Sequence, residues 1–388
     1  MTPGTKKFTW KWLDLGGSRL AWTWPARRPV TTVAAADSAK AFYPLPPEQP
    51  YRRHSPRTKN FAPEFLGTVD SICGTPPPTP PGGLALFEEA CALAGGVLIT
   101  RDGAVVAETA TYCGGTAGPF VWRHGELLAR IWPLTSIRFV PGDSVYLQQA
   151  FDDDYARWLV EVLPRVAVAA QFVDLSRFKF AITRMDGDMG QIMREGLALF
   201  GVKPGQIVEI DRAPVMFERL LYPLPVAIHP WVKSPNAIAV LESLPDRIGA
   251  ARDGPKRIYV TRNAGQTRRL TNEEAVIDAL RPLGFVVVDP GRWSFAEQIR
   301  LFAGAERIVG NCGAGLTNLV FASRGVRVVA LNSPFMQDDF FWDLTELKQG
   351  RFYSLHGVSP DPERRPKSDF SIDLAAFKVM LDAFLSED

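Results

Sequence analysis

The stretch that decides the fold runs RIYVTRNAGQTRRLTNEEAVIDALRPLGFVVVDP (257–290) and continues as GRWSFAEQIRLFAGAERIVGNCGAGLTNLVFASRGVRVVAL (291–331). Apolar runs at 258–261, 285–288, 308–310 and 326–331 alternate with helical patterns at 272–280, 295–302 and 316–321. Short strands separated by helices describe βαβ units and a parallel sheet. Right-handed crossovers gather the C-terminal ends of such strands on one edge, and ligands of these sheets bind at that edge. The chemistry is therefore expected in the loops after 261, 288, 310 and 331.

Two of those loops have a distinctive composition. After the third strand come Asn311, Cys312, Gly313, Ala314, Gly315, Leu316, Thr317 and Asn318. Small residues let a ligand reach the backbone, and the N-terminus of the following helix is an anion site; glycine there also serves plain helix–strand packing. After the first strand come Thr261, Arg262 and Asn263, then Arg268 and Arg269. A guanidinium fork matches phosphate oxygens, and each charged hydrogen bond is worth about 1.5–3 kcal/mol net. Two or three of them with a helix end would hold a diphosphate without a metal. The plainer alternative is a solvated basic loop. Thr271 reads as a helix cap before Asn272 and Glu273, and Gln298 faces either the site or solvent.

Upstream, 144–222 alternates in the same way, with helices at 158–171 and 189–200 and strands at 179–183 and 207–210. Residues 84–140 read as a small meander, with tight turns at Asp102-Gly103 and His124-Gly125. The expected organisation is a Pro-rich arm (1–83), including the spacer TPPPTPP (75–81), then a first domain (84–222), a linker (223–256), a second domain (257–345) and a tail (346–388). The tail should hold a helix at 373–385 that crosses back to the first domain. Asp152, Asp153 and Asp154 stand before the 158–171 helix. They are either N-terminal capping groups or a general base with acceptor-binding groups at an interdomain cleft. Asp152–Asp154 and Asp186-Gly187-Asp188 could each hold a hard cation, although the second suits a turn; no metal site is expected.

The balance of 44 basic and 42 acidic side chains, net +2, lacks the basic footprint of a nucleic-acid binder. Cys73, Cys91, Cys113 and Cys312 form no metal spacing and read as reduced thiols. No signal-type apolar segment opens the chain. The apolar stretch 158–173 carries Glu161 and Arg165 and is too short for a transmembrane segment. A cytoplasmic protein, or one peripheral to a membrane-bound pathway, is expected.

The segments YARWLVEVLPR (155–165), YVTRNAGQTRRLTNEE (259–274), GFVVVDPGRWSFAEQIRLFAGAERIVGNCGAGLTNLVF (284–321) and VVALNSP (328–334) together resemble glycosyltransferase family 61, over roughly 90–345. The resemblance implies an α/β, GT-B-like fold: two Rossmann-like domains facing across a cleft, with an irregular N-terminal arm. It implies inverting transfer from a nucleotide-sugar donor to a saccharide or glycoconjugate acceptor, in surface polysaccharide biosynthesis, with no other cofactor. Arg262 and Arg268 would face the diphosphate. Asn311, Cys312, Gly313, Ala314, Gly315 and Asn318 would lie under the nucleotide or sugar. Arg157 stands where the family has a histidine, and Cys312 where it often has another. Arginine cannot act as a base at neutral pH, so the base is sought among Asp154, Asp153, Asp152 and His229, with Asp154 first and Arg157 beside it. Two other readings are a non-catalytic nucleotide-sugar- or saccharide-binding relative, and a cysteine hydrolase using Cys312 with His54, His124, His229 or His356.

Overall fold

The computed structural model describes residues 31–59, 76, 78–93, 95–110, 137–211, 213–262, 265, 267–336 and 339–386, and the backbone of two short hairpin pairs, Trp12–Leu15 with Ser18–Ala21 and Phe120–Arg123 with Glu126–Ala129. The His124-Gly125 turn and residues 75 and 77 of the 75–81 spacer lie outside the described residues. Contacts divide the chain into two units, Met1–Pro47 with Pro81–Val226, and Glu48–Pro80 with Ala227–Asp388. Both are mixed α/β and built on parallel strands. Among the described residues no helix is long and apolar enough to cross a membrane.

The first unit holds a nine-stranded mixed sheet. Its main strands are β1 (Gly83–Leu93), β2 (Arg138–Tyr146), β3 (Lys179–Thr183), β4 (Ile207–Ile210) and β5 (Val215–Pro223). They run in the order β4-β3-β2-β5-β1, the first four mutually parallel and β1 antiparallel to β5. On the edge of β1 opposite β5, Ala41–Pro44 pairs with its first residues and Val97–Ile99 with its last. The Asp102-Gly103 turn joins Val97–Ile99 to Val105–Val106, and Gly103 takes the left-handed φ of 86° that such a turn needs. In β2, Pro141 and Gly142 interrupt the ladder; the register with β5 shifts between Val140 and Asp143, and Gly142 sits at φ 78°, a bulge placed where glycine carries no steric penalty.

The helix expected at 158–171 is not continuous. It opens earlier, at Tyr155–Arg157, widens to a π-turn over Trp158–Val162, and resumes as Arg165–Ala170. Pro164 removes one donor and crowds the preceding turn, which periodicity alone does not register.

The second unit is a six-stranded, all-parallel sheet: β6 (Arg257–Val260), β7 (Val286–Val288), β8 (Arg307–Asn311), β9 (Arg327–Asn332) and β10 (Arg351–His356), in the order β7-β6-β8-β9-β10, with Arg57–Lys59 added beyond β10. Consecutive residues of β9, Val328 to Leu331, are all buried, as expected of a sheet covered on both faces. One face packs Tyr259, Val309, Val329 and Tyr353 against the helix Glu273–Leu280 and the tail helix Leu374–Ser386, through Phe377, Met380, Leu381 and Phe384. The tail helix, expected to cross back to the first domain, is thus consumed by the second unit's own core.

The segment after Pro47 also belongs to the second unit. Arg53, buried, pairs with Asp339 at 2.6 Å and Asp343 at 2.7 Å. Lys233 reaches Asp343 at 3.1 Å, and Tyr51 donates to the same carboxylate. Residues 223–256, expected as a linker, carry the hairpin Ala227–Ile228 with Val232–Lys233 and the helices Pro235–Glu242 and Leu244–Arg247.

Candidate active site

In the second unit, the chain builds β6 first, then lays β7 on one side of it and β8, β9 and β10 on the other. Crossovers leaving β6 and β8 therefore diverge, opening a crevice at their C-terminal ends. The loops there are 261–272 and 312–313, the two singled out by composition.

Glu273 organises the first loop. It is nearly buried in the first turn of its helix and accepts from Tyr259 Oη at 2.9 Å and Thr261 Oγ1 at 2.7 Å. Burial, reinforced by Glu273, drives the Tyr259 phenol far above its ordinary range. Asn272 holds both backbone groups of Ile372, at 2.8 and 3.0 Å. Together they set the direction in which the chain leaves β6 into Arg262.

Arg262 lies directly over Gly313. A Cβ on Gly313 would stand 2.8 Å from Arg262 Cδ and 3.1 Å from Cζ, so the guanidinium occupies the space that glycine leaves. Its Nε reaches the Thr267 carbonyl at 3.4 Å. Arg268 is left-handed at φ 58°, and its carbonyl accepts from Asn311 Nδ2 at 2.9 Å. Asn311 is 1% exposed and its Oδ1 has no hydrogen-bond partner among the described residues. Arg269 instead forms an ion pair with Asp369 at 2.8 Å, and Arg268 Nη1 reaches Met336 Sδ at 3.4 Å, so the guanidinium held over the glycine loop is that of Arg262.

Cys312 is buried and its amide donates to Leu331. The helix expected at 316–321 starts two residues earlier and is a 3-10 helix, Ala314–Phe321. Gly315 packs closely on Pro290. Asn318 is fully buried and donates to Gln298 Oε1 at 2.9 Å and to the Gly315 carbonyl at 3.1 Å, while Gln298 donates to Trp293 O. These side chains brace the glycine loop from behind. Sequence reasoning named His356 only as a possible partner of Cys312 and did not join it to the polar row at the ends of β9 and β10: Asn332 donates to Ser354 Oγ at 2.7 Å, which lies 3.0 Å from His356 Nε2. Burial pushes His356 down to about 4, so it is neutral at pH 7. Position at the ends of the last two strands was its available signal.

The corresponding edge of the first unit is anchored by Arg165. Fully buried, it donates to the carbonyls of Pro223 at 2.8 Å, Leu147 at 3.2 Å and Tyr146 at 3.1 Å, and stacks over Tyr222. It thereby ties the ends of β2 and β5 to the helix that follows. Between them lie the three aspartates. Asp154 is the N-cap: its Oδ1 accepts from the amides of Ala156 and Arg157 at 2.9 and 3.2 Å. Asp153 is exposed. Asp152 is 3% exposed, and its Oδ2 accepts from Thr183 Oγ1 at 2.7 Å and the Gln149 amide at 3.1 Å. Burial pushes the Asp152 carboxyl up to about 7, despite those two hydrogen bonds. Arg157 lies over the Phe151 ring and 3.9 Å from Glu161, which also accepts from Gln149 Nε2. Asp186 and Asp188 open the helix Gly187–Ala198.

Of the histidines, His54 pairs with Glu346 and His229 packs on Phe340, both in the second unit; His124 lies outside the described residues.

A protein with this parallel-sheet edge and cationic glycine loop matches one family model. The model of Glycosyltransferase 61 covers residues 155–329, from the capped helix through β9. The match supports membership of the chain in glycosyltransferase family 61, and with it glycosyltransferase activity in general. No curated protein matches the chain.

Proposed function

We propose that the protein is an inverting glycosyltransferase that moves a sugar from a nucleotide-sugar to a saccharide or glycoconjugate acceptor, in surface polysaccharide or glycoconjugate biosynthesis. The observation that carries the donor assignment is Arg262 lying over Gly313 at the switch point of the second unit's sheet. A guanidinium above a bare backbone, beside the orphaned Oδ1 of Asn311, suits a diphosphate with a neighbouring hydroxyl or N–H donor. Arg262 and Arg268 stabilise the charge on the departing diphosphate, the step where preorganised donors contribute most. No metal is assigned to this step, since two guanidinium groups supply the positive charge. The acceptor is assigned to the first unit's edge, with its carboxylates.

The test is binding of UDP, GDP and the parent nucleosides in the presence of EDTA, followed calorimetrically. Arg262→Ala should weaken the diphosphates by about 1.5–3 kcal/mol and leave the nucleosides nearly unchanged. Equal losses for both, or binding only with added manganese or magnesium, would refute the assignment.

A further inference from the structure

Building on the glycosyltransferase reading, we propose that Asp152, rather than the neighbouring Asp154, is the base that removes the proton from the acceptor hydroxyl. In the step, the acceptor oxygen attacks the anomeric carbon of the donor sugar. The bond from that carbon to the diphosphate oxygen breaks, and its electron pair leaves with the nucleoside diphosphate. The acceptor proton moves to Asp152 Oδ1. One proton and one diphosphate are released for each glycosidic bond formed, and no other reactant is required.

The assignment rests on how the three aspartates are held. Asp154 is exposed and its Oδ1 is used twice by the backbone amides it caps, so that oxygen is committed to the helix end. Asp153 is exposed as well. Asp152 is withdrawn into the unit at the end of β2, where both hydrogen bonds, from Thr183 Oγ1 and the Gln149 amide, fall on Oδ2. Its Oδ1 accepts none from the described residues. One oxygen is oriented and the other is left for a proton. No described cation forms an ion pair with Asp152, since Arg165 spends its donors on three carbonyls and Arg157 turns to Glu161. The other charged or titratable groups around it are Asp153, which raises its proton affinity, and the Tyr146 phenol. A carboxylate with a proton affinity near neutrality suits general base catalysis at pH 7. Arg157, at the position of the family's histidine, cannot supply that function.

Asp152→Asn is the informative variant, because the amide oxygen can still accept from Thr183 and Gln149. Nucleoside diphosphate release would be followed with UDP- and GDP-sugars as donors and p-nitrophenyl glycosides as acceptors. The variant should lose transfer by roughly 10²-fold or more while retaining the UDP or GDP thermal shift and the wild-type urea midpoint. The base works only when ionised, so wild-type kcat should fall on the acid side with an apparent pKa near 7, and this limb should vanish in the variant. Transfer within a few-fold of wild type, or an unchanged acid limb, overturns the proposal and leaves the glycosyltransferase reading intact. Failure of the wild-type protein to release diphosphate from any donor sinks that reading and the proposal with it.

Discussion

At the ends of β6 and β8 the chain places an arginine over a glycine, with small residues along the loop. At the ends of β2 and β3 it places a buried aspartate held by a threonine, with a buried arginine closing the edge behind. Both are C-terminal edges of parallel strands, yet one offers bare backbone and positive charge and the other a desolvated carboxylate. In the proposed reading a diphosphate arrives already ionised and needs only compensation, so a loop with half-buried guanidinium groups suffices. A hydroxyl must lose a proton, which needs a group whose own proton affinity has been raised by removal from water. The contrast sets half-buried guanidinium groups at the second unit's edge against a carboxylate locked into packing at the first.

Arg165→Ala tests that contrast most severely. It would leave three buried carbonyls without their donor, and unsatisfied buried acceptors cost about 1–3 kcal/mol each. A loss of more than about 3 kcal/mol in urea unfolding is expected. A loss under about 1 kcal/mol would mean that the first unit's edge is no more rigid than the second's.

Gly313→Ala probes the second edge more gently. The backbone there is extended, with φ 179°, so alanine introduces no conformational strain; the three atoms nearest the added methyl all belong to the Arg262 side chain, which can swing aside. Stability should stay within about 0.5 kcal/mol, while UDP and GDP affinity should drop by about 1–2 kcal/mol. Unchanged affinity, measured calorimetrically, would show that the guanidinium position over Gly313 is immaterial.

The smallest effect is expected for Asp154→Ala. Loss of an N-cap costs about 1 kcal/mol, and sugar transfer should remain within a few-fold of wild type. A large loss of transfer with an intact fold would return the catalytic role to the cap position and erase the distinction drawn between Asp152 and Asp154.

How much was legible beforehand follows from the range of each interaction. The strands Lys179–Thr183 and Ile207–Ile210 match the expected bounds, and β6 to β9 agree to within a residue or two, because alternation and turn residues are local. The approach of the Arg262 loop to Gly313 was foreseeable, since βαβ units bring successive strand ends to one edge. The break in the helix after Arg157, the 3-10 form of Ala314–Phe321 and the pairing of Arg269 with Asp369 were not; each depends on packing or on a partner far along the chain.

The sequence by itself determined that residues 257–331 form a parallel α/β sheet, and that the loops at its C-terminal edge carry arginine and glycine, because period, turn chemistry and crossover handedness are properties of neighbouring residues. Only the tertiary structure decided that residues 48–59 complete the second unit, through Arg53 and the strand beside β10, and which of three consecutive aspartates is withdrawn from water. Asp152 is distinguished by Thr183, which approaches from a strand 31 residues away. Burial is a property of the folded surroundings, and no local pattern in Asp152-Asp153-Asp154 encodes it.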